Sequence, residues 1–354
     1  MRKDARVNNA RLSLRNRKLD FFAIILVALA AIAIGAKNFQ QTAPTELLNV
    51  SYDPTRELYQ SINRQFVAAY AKAPGSRPVI RQSHGGSSRQ ARLVITGELP
   101  ADVVTLGLYS DVESLHSRGL IADDWSSRLP NHSQPYYSTI VFVVRRGNPL
   151  GIHDWPDLIK ANVEVITPDP KGSGNGKLTA LAAWGAVLTR GGSEQDARAY
   201  LKSLYDHAPF LEAAARSAAL AFSVEKLGDV HLTWENEALR EVNEAKGGLQ
   251  IIYPPVSILA EPVVAWVDIN VAAHKCADVA KAYLEFLFTD VGQEIIAKSG
   301  YRPFKTEVLR KHAQQFPPLN LFHITRIAND WDDAQRKFFA ENGIIETVYR
   351  PKPR

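Results

Sequence analysis

The chain has 354 residues, 45% of them hydrophobic and 22% charged, with one cysteine and a formal charge of +5. That length and balance give two globular domains with cores of their own and exclude a chain disordered outside its ends. A single cysteine excludes an internal disulfide and a thiolate metal cluster.

Residues 1–36 carry seven Lys or Arg (Arg2, Lys3, Arg6, Arg11, Arg15, Arg17, Lys18) against Asp4 and Asp20. The remainder is therefore formally neutral, and the basic face that a nucleic-acid binder keeps on its folded part is missing. The basic stretch runs into FFAIILVALAAIAIGA (21–36), sixteen apolar or small residues without a charge. Basic n-region, apolar h-region and small residues at Gly35 and Ala36 follow the order of a secretory signal. Sixteen residues fall short of the ~20 that span a bilayer, so cleavage near Ala36 is favoured over retention as an N-terminal anchor. No cysteine follows for lipid attachment, and no Arg-Arg pair precedes for twin-arginine export.

After the leader, LLNVSYD (47–53) reads as an apolar strand, and PTRELYQSINRQFVAAYAKA places Leu58, Ile62, Phe66 and Ala69 on one helical face. ADVVTLGL (101–108) is nearly continuous in apolar residues, the pattern of a strand buried on both faces of a parallel sheet. Strand and helix keep alternating through TIVFVVRR (139–146), VEVITPDP (163–170), KLTALAAWGAVLTR (177–190), a polar helix in SEQDARAYLKSLYDH, DVHLTW (229–234) and ENEALREVNEAKGG. The result is α/β architecture with mainly parallel strands and no internal repeat. A β-branched stretch broken by Pro254, Pro255 and Pro262 follows at 251–269. Then come two helical segments, DVAKAYLEFLFTDVGQEIIAKS and ITRIANDWDDAQRKFFAENG, the second closed by Gly343 as a C′ residue. Two lobes joined by hinge crossings near 133 and 256 account for the order. Lobe I takes 46–132 and 256–322, lobe II takes 133–255, a C-terminal helix takes 323–349, and 350–354 form a tail. Cys276, at the start of an amphipathic helix, reads as a small packing residue.

Three strand-to-helix turns share one chemistry. Asp53 and Pro54 in SYDPTREL are a preferred N-cap and first helical residue. HGGSS (84–88) and GSGNG (172–176) both bring glycine to the start of a helix. Helix N-termini expose unpaired N–H groups with about half a positive charge, and in open α/β sheets they lie where ligands bind. The same turns also read as ordinary Gly/Ser connections, and both readings stand at this level. GSGNGKLT is not a P-loop, because Lys171 and Leu178 stand where Gly and Ser or Thr are required. His84 and Ser87 lie in no G-x-S-x-G elbow, and the nine histidines form no H-E-x-x-H or His-x-His pair, so neither a nucleophile nor a metal site is supported. Trp234 closes a strand as a core residue or an indole donor. Glu235 and Glu237 suit the first turn of the following helix in a structural role.

Taken in order, LLNVSYDPTRELY, IRQSHGGSSRQAR, ADVVTLGL, STIVFVVRRGNP, VITPDPKGSG, LAAWG, WENEAL, SILAEP and GYRP resemble the periplasmic sulfate-binding proteins, from about Leu47 to Tyr349. The resemblance implies the type II periplasmic binding protein fold, two α/β lobes closing about a hinge. It implies no cofactor, no metal and no catalysis, and a monomer delivering sulfate or thiosulfate to the membrane permease of an ABC importer. It also implies a site of neutral donors: the backbone N–H groups of Asp53, Ser87, Gly174, Asn175 and Ala215, the hydroxyl of Ser173 and the indole of Trp234. The family pattern is Ser-Gly-Gly where this chain has Ser173, Gly174 and Asn175. It is Gly-Ala-Arg-Gly where this chain has Ala214 to Ser217. The Asp53 carboxylate is expected to be occupied as an N-cap. Two other readings remain: an enzyme acting on a sulfated or phosphorylated substrate, for which no general base or metal is found, and a membrane-anchored sulfate sensor, which differs in retention of the leader.

Overall fold

The computed structural model describes residues 45–71 and 77–349. The leader expected over 1–36 and the tail over 350–354 lie outside them. No described helix is long and apolar enough to cross a membrane.

Two four-stranded sheets organise the chain. β1 (Glu46–Tyr52) runs into a 3-10 turn (Asp53–Thr55) and α1 (Arg56–Tyr70). β2 (Val79–Gly85) leads to α2 (Ser87–Ile95), and β3 (Val103–Leu106) to α3 (Tyr109–His116). β1 pairs in parallel with both β2 and β3. The three strands therefore finish at one edge, and the helices that follow start there. All four residues of β3 are buried, as its unbroken apolar run requires.

The chain then crosses through β4 (Tyr136–Tyr137) into β5 (Ile140–Arg145) and β6 (Val165–Ile166). α4 (Gly174–Thr189), α5 (Glu194–Asp206) and α6 (Ala215–Ser223) follow, then β7 (Val230–Trp234), α7 (Glu235–Glu244) and β8 (Leu249–Ile252). The second sheet runs β6-β7-β5-β8, and only β6 and β7 are parallel; β5 is antiparallel to both β7 and β8. Mainly parallel pairing thus holds in the first lobe and not in the second. A strand buried on both faces is apolar whichever way its neighbours point, so direction left no mark in the pattern.

The return crossing passes through β9 (Ser257–Ile258), and β10 (Val263–Trp266) joins the first sheet antiparallel to β3. The first lobe is thereby built from two separated segments. The two crossings lie side by side: Ser138 and Ala260 exchange backbone hydrogen bonds of 2.9 and 3.0 Å. Thr139 Oγ1 donates to the Ile258 carbonyl (2.7 Å), and Ser257 Oγ donates to that of Ile140 (2.8 Å). A left-handed turn at Asn131, His132 and Ser133 (φ 51°, 53° and 62°) precedes the first crossing. Three non-glycine residues in this region cost roughly 1–2 kcal/mol each, so surrounding contacts must hold the turn; the buried Ser133 hydroxyl, donating to the Trp125 carbonyl, is one.

The last third departs from expectation. Beyond α8 (Asp268–His274), the single helical run expected over 278–299 is two helices, α9 (Ala277–Phe286) and α10 (Asp290–Lys298). Thr289 starts α10 as an N-cap, its Oγ1 accepting from Gly292 N–H at 3.1 Å. β11 (Arg302–Pro303), α11 (Thr306–Lys311) and β12 (Leu321–Phe322) follow. No continuous C-terminal helix spans 323–349. The segment breaks into a 3-10 turn (Ile324–Arg326), α12 (Trp331–Ala334), a wider π turn (Gln335–Phe339) and α13 (Ile344–Val348). Asn342 takes the left-handed conformation (φ 64°), and Gly343 is the N-cap of α13 rather than a C′ residue. Tertiary packing overrides helical propensity here. Phe338 is fully buried edge-on against Trp184 of α4 (5.1 Å, 88°), and Tyr349 stacks on Tyr205 of α5 (5.4 Å).

Candidate functional site

All seven expected site residues border one small cavity: Asp53 and Ser87 from the first lobe, and Ser173, Gly174, Asn175, Ala215 and Trp234 from the second. The cavity is far smaller than the roughly 300–1,000 Å³ of a pocket for a drug-sized organic ligand. A small ion is the scale that fits. Among the described residues no Lys, Arg or His borders it.

The electrostatics come from helix ends. Ser87 begins α2, Gly174 begins α4 and Ala215 begins α6, and at none of the three does the N-cap residue's own side chain bond the first turn; at α6 the Arg216 N–H is held instead by the Asp53 carboxylate. Ser193 and Thr289, by contrast, cap α5 and α10. First-turn N–H groups have no partner within their own helix, so the cavity is offered donors at the positive ends of three helices. Ser173 occupies the N-cap position of α4 with extended backbone (φ −115°, ψ 129°), yet its hydroxyl makes no cap bond and remains free to donate elsewhere. Trp234 is fully buried against the Tyr52 ring, 5.3 Å between centroids, and its Nε1–H finds no acceptor. A buried indole N–H left unpaired costs about 1–3 kcal/mol. The cavity therefore favours an occupant that only accepts hydrogen bonds.

Residues 61–302 match the bacterial extracellular solute-binding proteins. Over 322 residues the chain is 47% identical to the sulfate-binding protein of Escherichia coli (strain K12), covering 90% of this chain and 96% of that one. The chain belongs to the periplasmic sulfate-binding protein family. It is also 42% identical over 332 residues to the thiosulfate-binding protein of Pseudomonas aeruginosa, with 93% and 98% covered. The sulfate-binding protein SubI from Mycobacterium tuberculosis H37Rv superimposes with a TM-score of 0.76 at 29% identity, covering 84% of this chain and all of that one. The family is one of solute-binding proteins rather than enzymes, and its two-lobed architecture is the one described above.

The departures from the family pattern have local explanations. Asn175 is the second residue of α4 and not among the residues of positive φ, so the position needs no glycine. Its Nδ2 donates to the Leu232 carbonyl (3.1 Å), tying α4 to β7. Ala214 is extended (φ −154°, ψ 169°), a conformation open to any residue, and Ser217 Oγ accepts from Ala214 N–H at 3.2 Å. The expectation for Asp53 needs correction. Tyr52, not Asp53, is the N-cap residue of the 3-10 turn that precedes α1. The Asp53 carboxylate is nevertheless occupied: Oδ1 accepts from the Arg56 guanidinium (2.7 and 2.9 Å), and Oδ2 accepts from the Arg216 N–H across the cleft (3.1 Å). The reason is geometric. The first turn folds as a tight 3-10 segment, which leaves the side chain beside the second lobe.

Cations near the site are matched elsewhere. Arg216 bridges the cleft to Glu57 (2.9 and 3.0 Å) and also reaches Glu237. Burial raises the Glu57 carboxyl, but the Arg216 bonds outweigh it and hold the group below its usual range. Buried Lys177 lies 3.5 Å from Asp111. His84 hydrogen-bonds Ser51 Oγ at 2.6 Å, not Ser87, and burial followed by the nearby Arg56 pushes its pKa down to about 4. It is a neutral residue just outside the cavity wall. Burial raises the Glu237 carboxyl against the pull of Arg240 and Arg216, in keeping with a structural role.

Two residues of the cleft carry no local signal of their place there. Arg216 clamps the lobes through partners more than 150 positions away, and no local spacing announces that. Gly86 also borders the cavity, and a Cβ there would lie 2.4 Å from the Gly172 carbonyl oxygen of the other lobe. The Gly85-Gly86 pair was a visible signal of close backbone approach, though not of approach to a second lobe.

Proposed function

We propose that this chain binds sulfate or thiosulfate in the interlobe cavity and hands it, as a monomer, to the membrane permease of an ABC importer. The roles are those of the family motifs. The backbone N–H groups of Asp53, Ser87, Gly174, Asn175 and Ala215, the Ser173 hydroxyl and the Trp234 indole hold the ion. Residues 1–36 direct export to the periplasm, and an N-terminus of the purified protein at residue 37 is the expected product. The observation that carries the reading is the wall itself: three helix starts whose N-cap residues make no side-chain cap bond and an unpartnered buried indole, with the one bordering carboxylate already engaged.

Sulfate near neutrality is a dianion without a proton, so it accepts and never donates. Phosphate keeps a proton that needs an acceptor, and leaving that proton unpaired in a buried site costs about 1–3 kcal/mol. Sulfate is therefore expected to bind about five- to 150-fold more tightly than phosphate. Its affinity should stay flat between pH 6 and 8, because neither the ion nor His84, pushed to about 4, titrates there. The His84 contribution to folding stability should fall from pH ~6.5, where only the unfolded histidine takes up a proton, to about 4, below which both states carry it and this one contribution stops changing. Calorimetry on residues 37–354 with sulfate, thiosulfate, molybdate and phosphate tests the selectivity. Equal affinity for phosphate overturns it.

Trp234→Phe and Ser173→Ala each delete one donor to a charged acceptor. Each is expected to cost about 1.5–3 kcal/mol, or roughly ten- to hundredfold in affinity, read by the same titrations. Wild-type binding in both variants means the ligand does not sit between these two side chains.

A further inference from the structure

At the opposite end of β3 from the cavity, three ligand atoms of different chemistry converge. Asp102 immediately precedes β3, whereas Gly107, just beyond its other end, packs near Trp234. The Asp102 carboxylate is fixed through Oδ2, which accepts from Leu48 N–H at 2.7 Å. Its Oδ1 lies 2.7 Å from His274 Nδ1 and 3.2 Å from Cys276 Sγ, and the three atoms fall within 4.8 Å of one another. His274 ends α8 and Cys276 precedes α9. Between them Lys275 takes the left-handed conformation (φ 55°, ψ 38°), uncommon for a side-chain-bearing residue, which turns both neighbours toward the same carboxylate. Backbone bonds hold the frame: Asp102 N–H donates to the Leu48 carbonyl (2.9 Å) and Val267 N–H to that of Asp102 (2.8 Å). Asp102 and Cys276 are buried, and the exposed His274 leaves one side open to solvent.

We propose that Asp102, His274 and Cys276 form a binding site for a borderline divalent cation, Zn²⁺ above all. One oxygen, one imidazole nitrogen and one sulfur are a mixed donor set that suits zinc and disfavours magnesium or calcium. Around zinc, bonds of about 2.0–2.3 Å place such atoms roughly 3.3–3.7 Å apart, so the Asp102 oxygen must move away from His274 Nδ1 and Cys276 Sγ by less than about 1 Å. Binding displaces the thiol proton to solvent and shifts the imidazole proton from Nδ1 to Nε2, one proton released per ion. Carboxylate, thiolate and dication then sum to zero, which suits a site with two buried ligands and one exposed. The sequence offered only a His-x-Cys pair, its third member 172 positions away. The local spacing of the histidines and the count of one cysteine could not show this convergence.

The test uses the full chain, freed of metal by a chelator and titrated with zinc chloride or cobalt chloride. The proposal requires one equivalent of Zn²⁺ at about micromolar affinity or tighter. It also requires one proton released, a near-ultraviolet thiolate-to-cobalt charge-transfer band, and zinc protection of Cys276 from a thiol reagent. His274→Ala alters an exposed side chain and should fold normally while weakening zinc about ten- to hundredfold; Cys276→Ser should abolish the cobalt band. Sulfate affinity should be unchanged in both, so this result stands apart from the ligand reading. Sub-stoichiometric zinc, a missing cobalt band, or unaltered zinc binding by His274→Ala overturns the proposal and leaves a hydrogen-bonded cluster.

Discussion

Arg302→Ala is expected to remove about 3–5 kcal/mol of folding stability. Arg302 and Glu235 form a bidentate pair at 2.6 and 2.7 Å, with Glu235 wholly buried and Arg302 4% exposed. The guanidinium also donates to the Pro317 carbonyl at 2.8 Å and lies over the Phe316 ring. Deleting it strands a carboxylate in a dry interior, and the N-terminus of α7 offsets only part of that cost. The pair joins the start of α7 in one lobe to β11 in the other, close to the crossings, since Glu235 N–H donates to the Thr139 carbonyl. A control separates the loss of a salt bridge from the stranding of a charge. Replacing both partners with apolar residues, as in Arg302→Met with Glu235→Leu, should recover most of the loss, because a buried ion pair is worth little against well-packed hydrocarbon. Urea unfolding measures both. A loss below about 1 kcal/mol in the single variant, or an equal loss in the double, contradicts the argument.

What the sequence disclosed and what it withheld divide along physical lines. Ser87 and Gly174 were legible because the signal for a helix start is local: an apolar strand, a glycine, then helical spacing. The double burial of β3 was legible because its apolar run is unbroken. Strand direction in the second lobe was not, since β5 and β7 carry the same apolar run in either orientation. The C-terminal segment kept helical periodicity, yet Phe338 and Tyr349 found better packing on α4 and α5 than one straight helix allows. Among the site residues, Asn175 illustrates a subtler limit. Its identity differs from the family pattern, but the role proposed for it concerns a backbone N–H whose angles depend on place in the helix, and only three dimensions show that α4 has already begun there. Asp53 shows the converse, a residue whose type predicted a cap and whose partner, the Arg216 N–H, belongs to the other lobe.

Gly86→Ala should lower ligand affinity by about 3 kcal/mol, roughly 150-fold, while leaving the stability of the ligand-free protein near that of wild type. Gly86 has φ −58° and ψ 130°, angles that alanine adopts without strain, so the backbone gives no reason for glycine. The reason lies across the cleft. An added Cβ would sit 2.4 Å from the Gly172 carbonyl oxygen and 3.3 Å from its carbon. Relief requires the lobes to separate by about 1 Å at this point, since overpacked contacts are relaxed only by backbone movement. That movement falls on the ligand donors, because Ser87 follows Gly86 directly and Ser173 follows Gly172. Hydrogen bonds from the two lobes to one small ion cannot all keep their length when the lobes part. The closed form also holds the Arg216 pairs with Glu57 and the Arg216 N–H bond to Asp53, which the same separation lengthens. A free chain with lobes apart escapes the clash, so the defect should appear as a lost ligand-induced thermal shift rather than a lower melting temperature. Scattering with saturating sulfate should report a more open particle than wild type. Full affinity in the alanine variant means that closure leaves more room at this contact than the 2.4 Å approach allows.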